Sequence, residues 1–309
     1  MFKNKSKIDT EEIRYAISDL FNKPVEYIKI SFESDGFTGK VHKIAVFYKN
    51  MTCEKFIIKQ LIDNADQNFY DKVLKRYKLN SPNIFGTIFI GKLPHLVIEY
   101  IPKNTSVPTN LWYKKALQWL IRKDQISLEH TANIKNTGTV LSKMNDGSSW
   151  WLLIEKCVKS GKHPSIDKRL INKLPSIKGT FKMCLDSLEN DPQVLNHNDF
   201  QYRNTLIHRD TGKFYVIDWT SPRIGSPFID LSRFIKDNPV YARKITEEYK
   251  HAIPIKNFDE QLKKADFRHV LSICVWMCRA IIDGQRKAVE NLYDVDLYIG
   301  EVINHEVLV

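Results

Sequence analysis

His197-Asn198-Asp199-Phe200-Gln201-Tyr202-Arg203-Asn204 is followed, fourteen residues beyond Asn204, by Asp218 in the run Val216-Ile217-Asp218-Trp219. Asp199, Asn204 and Asp218 place three oxygen-bearing side chains in the order and spacing that phosphoryl transfer from a magnesium-bound nucleotide needs. A transferring phosphoryl group requires in-line positioning and charge neutralisation more than covalent help. Magnesium takes hard oxygen ligands, so a carboxylate and a side-chain amide suit it where His or Cys would not. Asp199 is therefore the candidate catalytic residue, placed to orient an acceptor hydroxyl and take its proton. Asn204 and Asp218 are the candidate metal ligands.

The flanking pattern supports that geometry. Gln193-Val194-Leu195 is a short apolar approach, Asn204 to His208 reads as a strand, Arg209 to Lys213 as a turn, and Phe214 to Ile217 as a returning strand rich in β-branched and aromatic residues. Such a hairpin carries Asn204 and Asp218 to the same end, because one precedes the outgoing strand and the other follows the return strand.

Downstream, Gly225-Ser226-Pro227-Phe228-Ile229-Asp230-Leu231 completes a three-part pattern: His-x-Asp-x-x-x-x-Asn, then Ile-Asp-Trp, then Gly-x-Pro-x-x-Asp-Leu. The three parts in this order resemble the aminoglycoside phosphotransferase and choline kinase superfamily. The resemblance implies an α+β, two-lobed protein-kinase-like fold. Residues 1–101 would form a nucleotide-binding lobe around a small antiparallel sheet, and residues 102–309 a larger, mainly helical lobe carrying the catalytic and metal-binding loops and the acceptor site. It implies Mg2+ as cofactor and ATP as phosphoryl donor, with GTP left open. The implied acceptor is a hydroxyl of a small molecule, an aminoglycoside-type antibiotic or a hydroxylated metabolite. Within the superfamily, His197 would organise the catalytic loop and the backbone of Asp218, and Asp230 would brace that loop from the start of a helix.

Other readings stand beside this one. Asn198 and Gln201 make the catalytic loop resemble that of choline kinases, so a choline or ethanolamine kinase is an alternative. A non-catalytic nucleotide-binding relative is another. A protein kinase is disfavoured: Asn198 stands where those enzymes have Arg and Gln201 where many have Lys. Only eleven residues separate Asp218 from Asp230, too few for a peptide-docking activation segment. A polycationic aminoglycoside would call for converging carboxylates, for which Glu247, Glu248, Asp259, Glu260 and Asp283 are available.

Upstream, Asp9-Thr10-Glu11-Glu12 followed by Ile13, Ile17, Leu20 and Phe21 predicts a capped amphipathic helix. Tyr27 to Glu33 and Val41 to Tyr48 alternate as strands about a loop holding Gly36 and Gly39. Glycines at a hairpin tip let backbone N–H groups approach phosphates, because no Cβ keeps them away. Glu54 to Leu61 is a third strand, and its Lys59 matches the superfamily's phosphate-contacting lysine. In the following segment, helical from Ala65 to Leu74 with Phe69, Tyr70, Val73 and Leu74 on one face, Asp66 stands where the superfamily carries the glutamate that pairs with that lysine. His95 to Ile101 is a buried strand ending at Pro102, similar to the superfamily's lobe connection, so the backbone from Glu99 to Ile101 would read the nucleotide base.

From about Leu111 to Asn190 the pattern is helical, and its tryptophans (Trp112, Trp119, Trp150, Trp151) fit a core better than a ligand-stacking box. A second helical block, Gln261 to Glu290, is apolar nearly all round between Val270 and Ile282, hence buried. The chain of 309 residues is 43% hydrophobic and 27% charged, as expected of a globular protein with two lobes. Its net charge of +11 and pI near 9.2 raise a nucleic-acid partner, but the lysines are dispersed rather than clustered, which disfavours one. No apolar run is long enough to span a membrane, and the basic start Met1 to Lys7 lacks the apolar stretch of a signal peptide. The five scattered cysteines argue for reduced core thiols rather than disulfides. A cytoplasmic location is the expectation.

Overall fold

The computed structural model describes residues 9–36, 39–61, 68–139, 148–161, 164–219, 222–285 and 295–305. The chain forms two compact units: Met1–Trp112 with Arg203–Thr220, and Tyr113–Tyr202 with Ser221–Val309. Both are discontinuous in sequence. The segment Arg203–Thr220 groups with the sheet rather than with the helices.

In the first unit, helix α1 (Thr10–Phe21) begins where the Asp9 side chain accepts the Glu11 N–H at 2.9 Å and ends at Asn22, whose left-handed backbone (φ 48°) closes the last turn. A five-stranded antiparallel sheet follows: β1 (Val25–Gly36), β2 (Gly39–Tyr48), β3 (Cys53–Gln60), β4 (Ile84–Ile90) and β5 (Leu93–Glu99), in spatial order β1-β2-β3-β5-β4. Gly36 and Gly39 face each other as the innermost pair of the first hairpin; Phe37 and Thr38 between them lie outside the described residues. Ile13 and Ile17 of α1, both fully buried, pack with Ile44, Val46, Phe56, Ile58 and Val97 into one apolar layer. The predicted helix before β4 is described from residue 68 and includes a π-helical stretch, Tyr70–Lys75. Phe69, Tyr70, Val73 and Leu74 are buried on one face, as expected. Asp66 lies outside the described residues.

The second unit is built from helices α2 (Thr109–Lys135, most of which lies here), α3 (Ser148–Ser160), α4 (Pro164–Glu189), α5 (Phe228–Lys236), α6 (Ala242–Ala252), α7 (Phe258–Ile282) and α8 (Val295–His305). Helix α7 is its axis. Fifteen of its residues are buried, including Cys274 and Cys278 as core thiols, and α3, α4, α5 and α8 pack against it. Trp119 is buried, while Trp150 and Trp151 lie half-buried around Phe181 at 5.3 and 5.4 Å. Among the described residues no helix is long and apolar enough to cross a membrane.

Burial of α1 against the sheet makes a direct prediction. Ile17→Ala leaves a cavity between them and should lower stability by about 2–5 kcal/mol in chemical denaturation. A loss below about 0.5 kcal/mol, the range of surface substitutions, would show that α1 is not part of this core.

Candidate active site

The sequence-predicted residues fall in both units, and each set has its own local logic. In the sheet unit, β7 (Thr205–Ile207) and β8 (Phe214–Val216) form the expected short hairpin, with Thr205 opposite Val216 and Ile207 opposite Phe214. Its turn closes through His208 N–H to Lys213 O (2.8 Å), with Gly212 at φ 64°. At the open end Ile217 donates its N–H to the Asn204 carbonyl at 2.9 Å, so Asn204 and Asp218 lie at one end of the hairpin, as the spacing predicted. The hairpin is tied down by Val216 N–H to Asn80 O (3.1 Å), Asn104 N–H to Ile207 O (2.9 Å) and Trp112 Nε1–H to Thr205 Oγ1 (2.8 Å). Trp219, 1% exposed, plugs the core 5.3 Å from the Phe69 ring. Between that anchor and the strand, Asp218 adopts φ 63°, a left-handed conformation uncommon outside glycine and better tolerated by Asp than by bulky residues.

Asp218 Oδ1 accepts a hydrogen bond from Lys59 Nζ at 2.9 Å. Lys59 sits in β3, the central strand, opposite Leu96 of β5, and its side chain is 14% exposed against 42% for Asp218. Asp218 is thus one carboxylate partner of the strand lysine; Asp66, the partner expected from the sequence, lies outside the described residues. Glu99 is engaged locally: its N–H donates to Asn83 O at 2.8 Å, and its carboxylate accepts the N–H (3.0 Å) and Nδ2 (2.8 Å) of Asn83. Ile101, buried, lies two residues past the end of β5.

In the helical unit, β6 (Val194–Asn196) pairs with β9 (Arg223–Gly225) and leads into the loop holding Asp199. Asp230, fully buried in the first turn of α5, accepts the N–H groups of His197 (2.7 Å) and Asn198 (2.8 Å). This bracing is the role the superfamily resemblance implied. Asn198 turns to φ 68°, and the Asp199 N–H donates to His197 Nδ1 at 3.3 Å, so His197 does organise the loop. Phe200 is buried between Trp119 (5.3 Å) and Phe234 (5.5 Å), which fixes the loop's far side. The Asp199 carboxylate receives Gln201 Nε2–H at 2.7 Å and Arg233 Nη2–H at 2.8 Å, both on Oδ1.

Sequence reasoning missed the supports of this loop. Lys123 Nζ lies 2.8 Å from Asp230 and 2.9 Å from Asp124, with all three side chains fully buried. Tyr249 donates its hydroxyl to Asp124 at 2.6 Å. Burial works against the Lys123 ammonium, but the two carboxylates outweigh it and hold its pKa above the ordinary lysine value. One ammonium cannot serve two buried carboxylates equally, and burial pushes Asp124 up to about 6. A signal existed: Ala116, Leu120, Lys123 and Ser127 recur at helical spacing on one buried stripe, and a charge on that stripe demands a partner. The acids available for a polycationic acceptor are each engaged locally. Glu247, Glu248, Asp259, Glu260 and Asp283 each lie beside a basic neighbour of their own: Arg243, Lys244, Lys250, Lys264 and Arg279.

Comparison with solved structures shows the fold. A GDP complex of a point variant of aminoglycoside 2'-phosphotransferase-IIIa superposes with a TM-score of 0.65 at 14% identity, over 96% of this chain and 100% of that one. The chain has a protein-kinase-like fold. Choline kinase LicA from Streptococcus pneumoniae matches with a TM-score of 0.60 at 13% identity (97% and 99% covered). Macrolide 2'-phosphotransferase MphH from Brachybacterium faecium matches with 0.56 at 10% (91% and 96% covered). In sequence, the model of the Ecdysteroid kinase-like family matches residues 133–250, less than half of the chain. No curated protein matches significantly. The kinase-like chain thus shares its architecture with small-molecule phosphotransferases.

Among the described residues no three His, Cys, Asp or Glu side chains are grouped to hold a metal. Magnesium bound with a nucleotide needs fewer, since waters and phosphates complete its shell. An amide and a carboxylate at one hairpin end, both hard oxygen donors, fit it.

The buried triad makes a pH prediction. Asp124 titrates at about 6 when folded against 3.8 ordinarily. In the window between, the unfolded chain has released a proton that the folded chain keeps. The folded state therefore loses up to roughly 3 kcal/mol as pH rises from about 4 to beyond about 6. Denaturation of wild type and Asp124→Asn at about pH 5 and about pH 7 should show this contribution only in the wild type. An identical pH dependence in both would overturn the assignment.

Proposed function

We propose that the protein is an ATP-dependent kinase that transfers the γ-phosphoryl group to a hydroxyl of a small molecule. The observation that carries this reading is the Lys59–Asp218 ion pair in the sheet unit, at the hairpin end that also holds Asn204. A largely buried strand lysine beside a more exposed carboxylate offers an ammonium to phosphate oxygens and a hard oxygen donor to a divalent cation. The fold shared with small-molecule phosphotransferases supports it.

In this reading the Lys59 ammonium binds nucleotide phosphates, and the backbone at Gly36 and Gly39 lies against them. The base is read from the backbone near Ile101. Because Glu99 already donates its N–H to Asn83, Ile101 is the better candidate of the two. Asp66 would be a second carboxylate for Lys59. Asp218 and Asn204 would hold Mg2+, which neutralises phosphate charge when bound. Asp199 accepts the acceptor's hydroxyl proton. A bond forms between that oxygen and the γ-phosphorus, the bond to the β,γ-bridging oxygen breaks, and ADP leaves. Gln201 and Arg233, both on Asp199 Oδ1, fix the orientation of the carboxylate.

Asp199→Asn should lower turnover at least about 100-fold while leaving nucleotide binding intact; activity within about tenfold of wild type would remove Asp199 as the base. Asp218→Ala should abolish the magnesium dependence of ATP binding measured by calorimetry, and unchanged affinity with and without Mg2+ would sink the metal assignment.

A further inference from the structure

Two arginines of the helical unit lie beside the Asp199 loop with no ion-pair partner among the described residues. Arg268, on α7, is 5% exposed; its Nη2 donates to Asn198 Oδ1 at 3.2 Å, and its guanidinium stands 6.0 Å from the Trp150 ring. Arg223 opens β9, opposite Asn196 on the strand that leads into the loop, and its Nε is buried without a hydrogen-bond partner. Burial, then the neighbouring Arg223 charge, pulls Arg268 down to about 10, so it stays cationic at neutral pH.

The other basic groups nearby are committed. Arg233 pairs with Asp199, Lys236 with Glu301 (2.8 Å) and Asp266 (3.6 Å), and Lys123 with Asp124 and Asp230. Asp230, the acid that acts on Arg268, already accepts Lys123 and two loop N–H groups. Among the described residues neither Arg223 nor Arg268 makes an ion pair. Two desolvated like charges without a counter-charge are costly, and guanidinium forks match the planar or tetrahedral oxygens of carboxylate and phosphate. One end of this pair touches Asn198, the residue before Asp199.

We propose that Arg223 and Arg268 form an oxyanion-binding subsite for the acceptor, which is a hydroxylated carboxylate or phosphate ester rather than a polyamine or a quaternary amine. This rests on the kinase reading for its role, but not for its existence. The surface acids that a polyamine would need are each paired with a basic neighbour, while the loop side carries unmatched positive charge.

The test has a binding arm and a turnover arm. By calorimetry, inorganic phosphate and acetate are titrated into wild type, Arg268→Gln, Arg223→Gln and Arg268→Lys, each checked by circular dichroism. At least one anion should bind wild type and bind each Gln variant at least tenfold more weakly, with Arg268→Lys between and ATP affinity unchanged throughout. Preference for phosphate over acetate identifies a phosphate ester, and the reverse a carboxylate. In Mg-ATP consumption assays, glycerate, gluconate and glycerol 3-phosphate are compared with kanamycin and choline. Equal anion affinity in wild type and both Gln variants, no anion binding to wild type, or turnover of kanamycin or choline alone would overturn the proposal. Arginine-dependent anion binding without ATP binding would instead overturn the kinase reading and leave the subsite standing.

Discussion

The helical unit's loop around Asp199 hangs on one carboxylate. Asp230 takes two consecutive loop N–H groups and the Lys123 ammonium while fully buried, so the fold directs both of its oxygens. Two N–H groups aimed at one carboxylate force the chain to turn sharply, and Asn198 pays with a positive φ. The turn sets Asp199 where Gln201 and Arg233 reach its Oδ1. Removing Lys123 would leave two buried charges uncompensated, a defect worth about 3–5 kcal/mol, whereas a surface pair such as Arg243–Glu247 contributes about 1 kcal/mol or less.

Much of this was legible in the sequence because local chemistry dictates it. The turn of Arg209 to Lys213, the β-branched return strand and the core-seeking Trp219 together specify a hairpin that brings Asn204 and Asp218 to one end. The sheet strands followed alternation, and α7 followed its all-round apolarity. What escaped was long-range pairing between charges. Nothing local to Lys59 says that its partner is Asp218 in the return hairpin, and nothing local to Arg233 says that it reaches Asp199. Spacing reports which residues share an element, whereas ion pairs across elements depend on how those elements pack. Contiguity in sequence likewise says little about which compact unit a hairpin joins.

The two units treat charge differently. In the sheet unit one lysine and one carboxylate neutralise each other in a partly exposed setting, so the pair is open to exchange for phosphate and metal. In the helical unit a closed triad of Lys123, Asp124 and Asp230 is sealed from solvent and serves architecture, while Arg223 and Arg268 make no ion pair among the described residues. Function is better sought in unanswered charge than in the most buried charge.

The discontinuity of the units has a consequence for biosynthesis. Lys59 and Asp218 are 159 residues apart, and the hairpin that completes the sheet unit is made only after the long helices α2 to α4 have emerged. A nascent chain therefore carries the five sheet strands from Glu99 to Trp219 without the Trp219 plug or the Asn80 and Asn104 ties to the hairpin. Domains commonly fold in order from the N-terminus. Here the N-terminal unit cannot finish first, and a fragment ending at residue 112 would be an incomplete unit rather than a minimal nucleotide-binding domain.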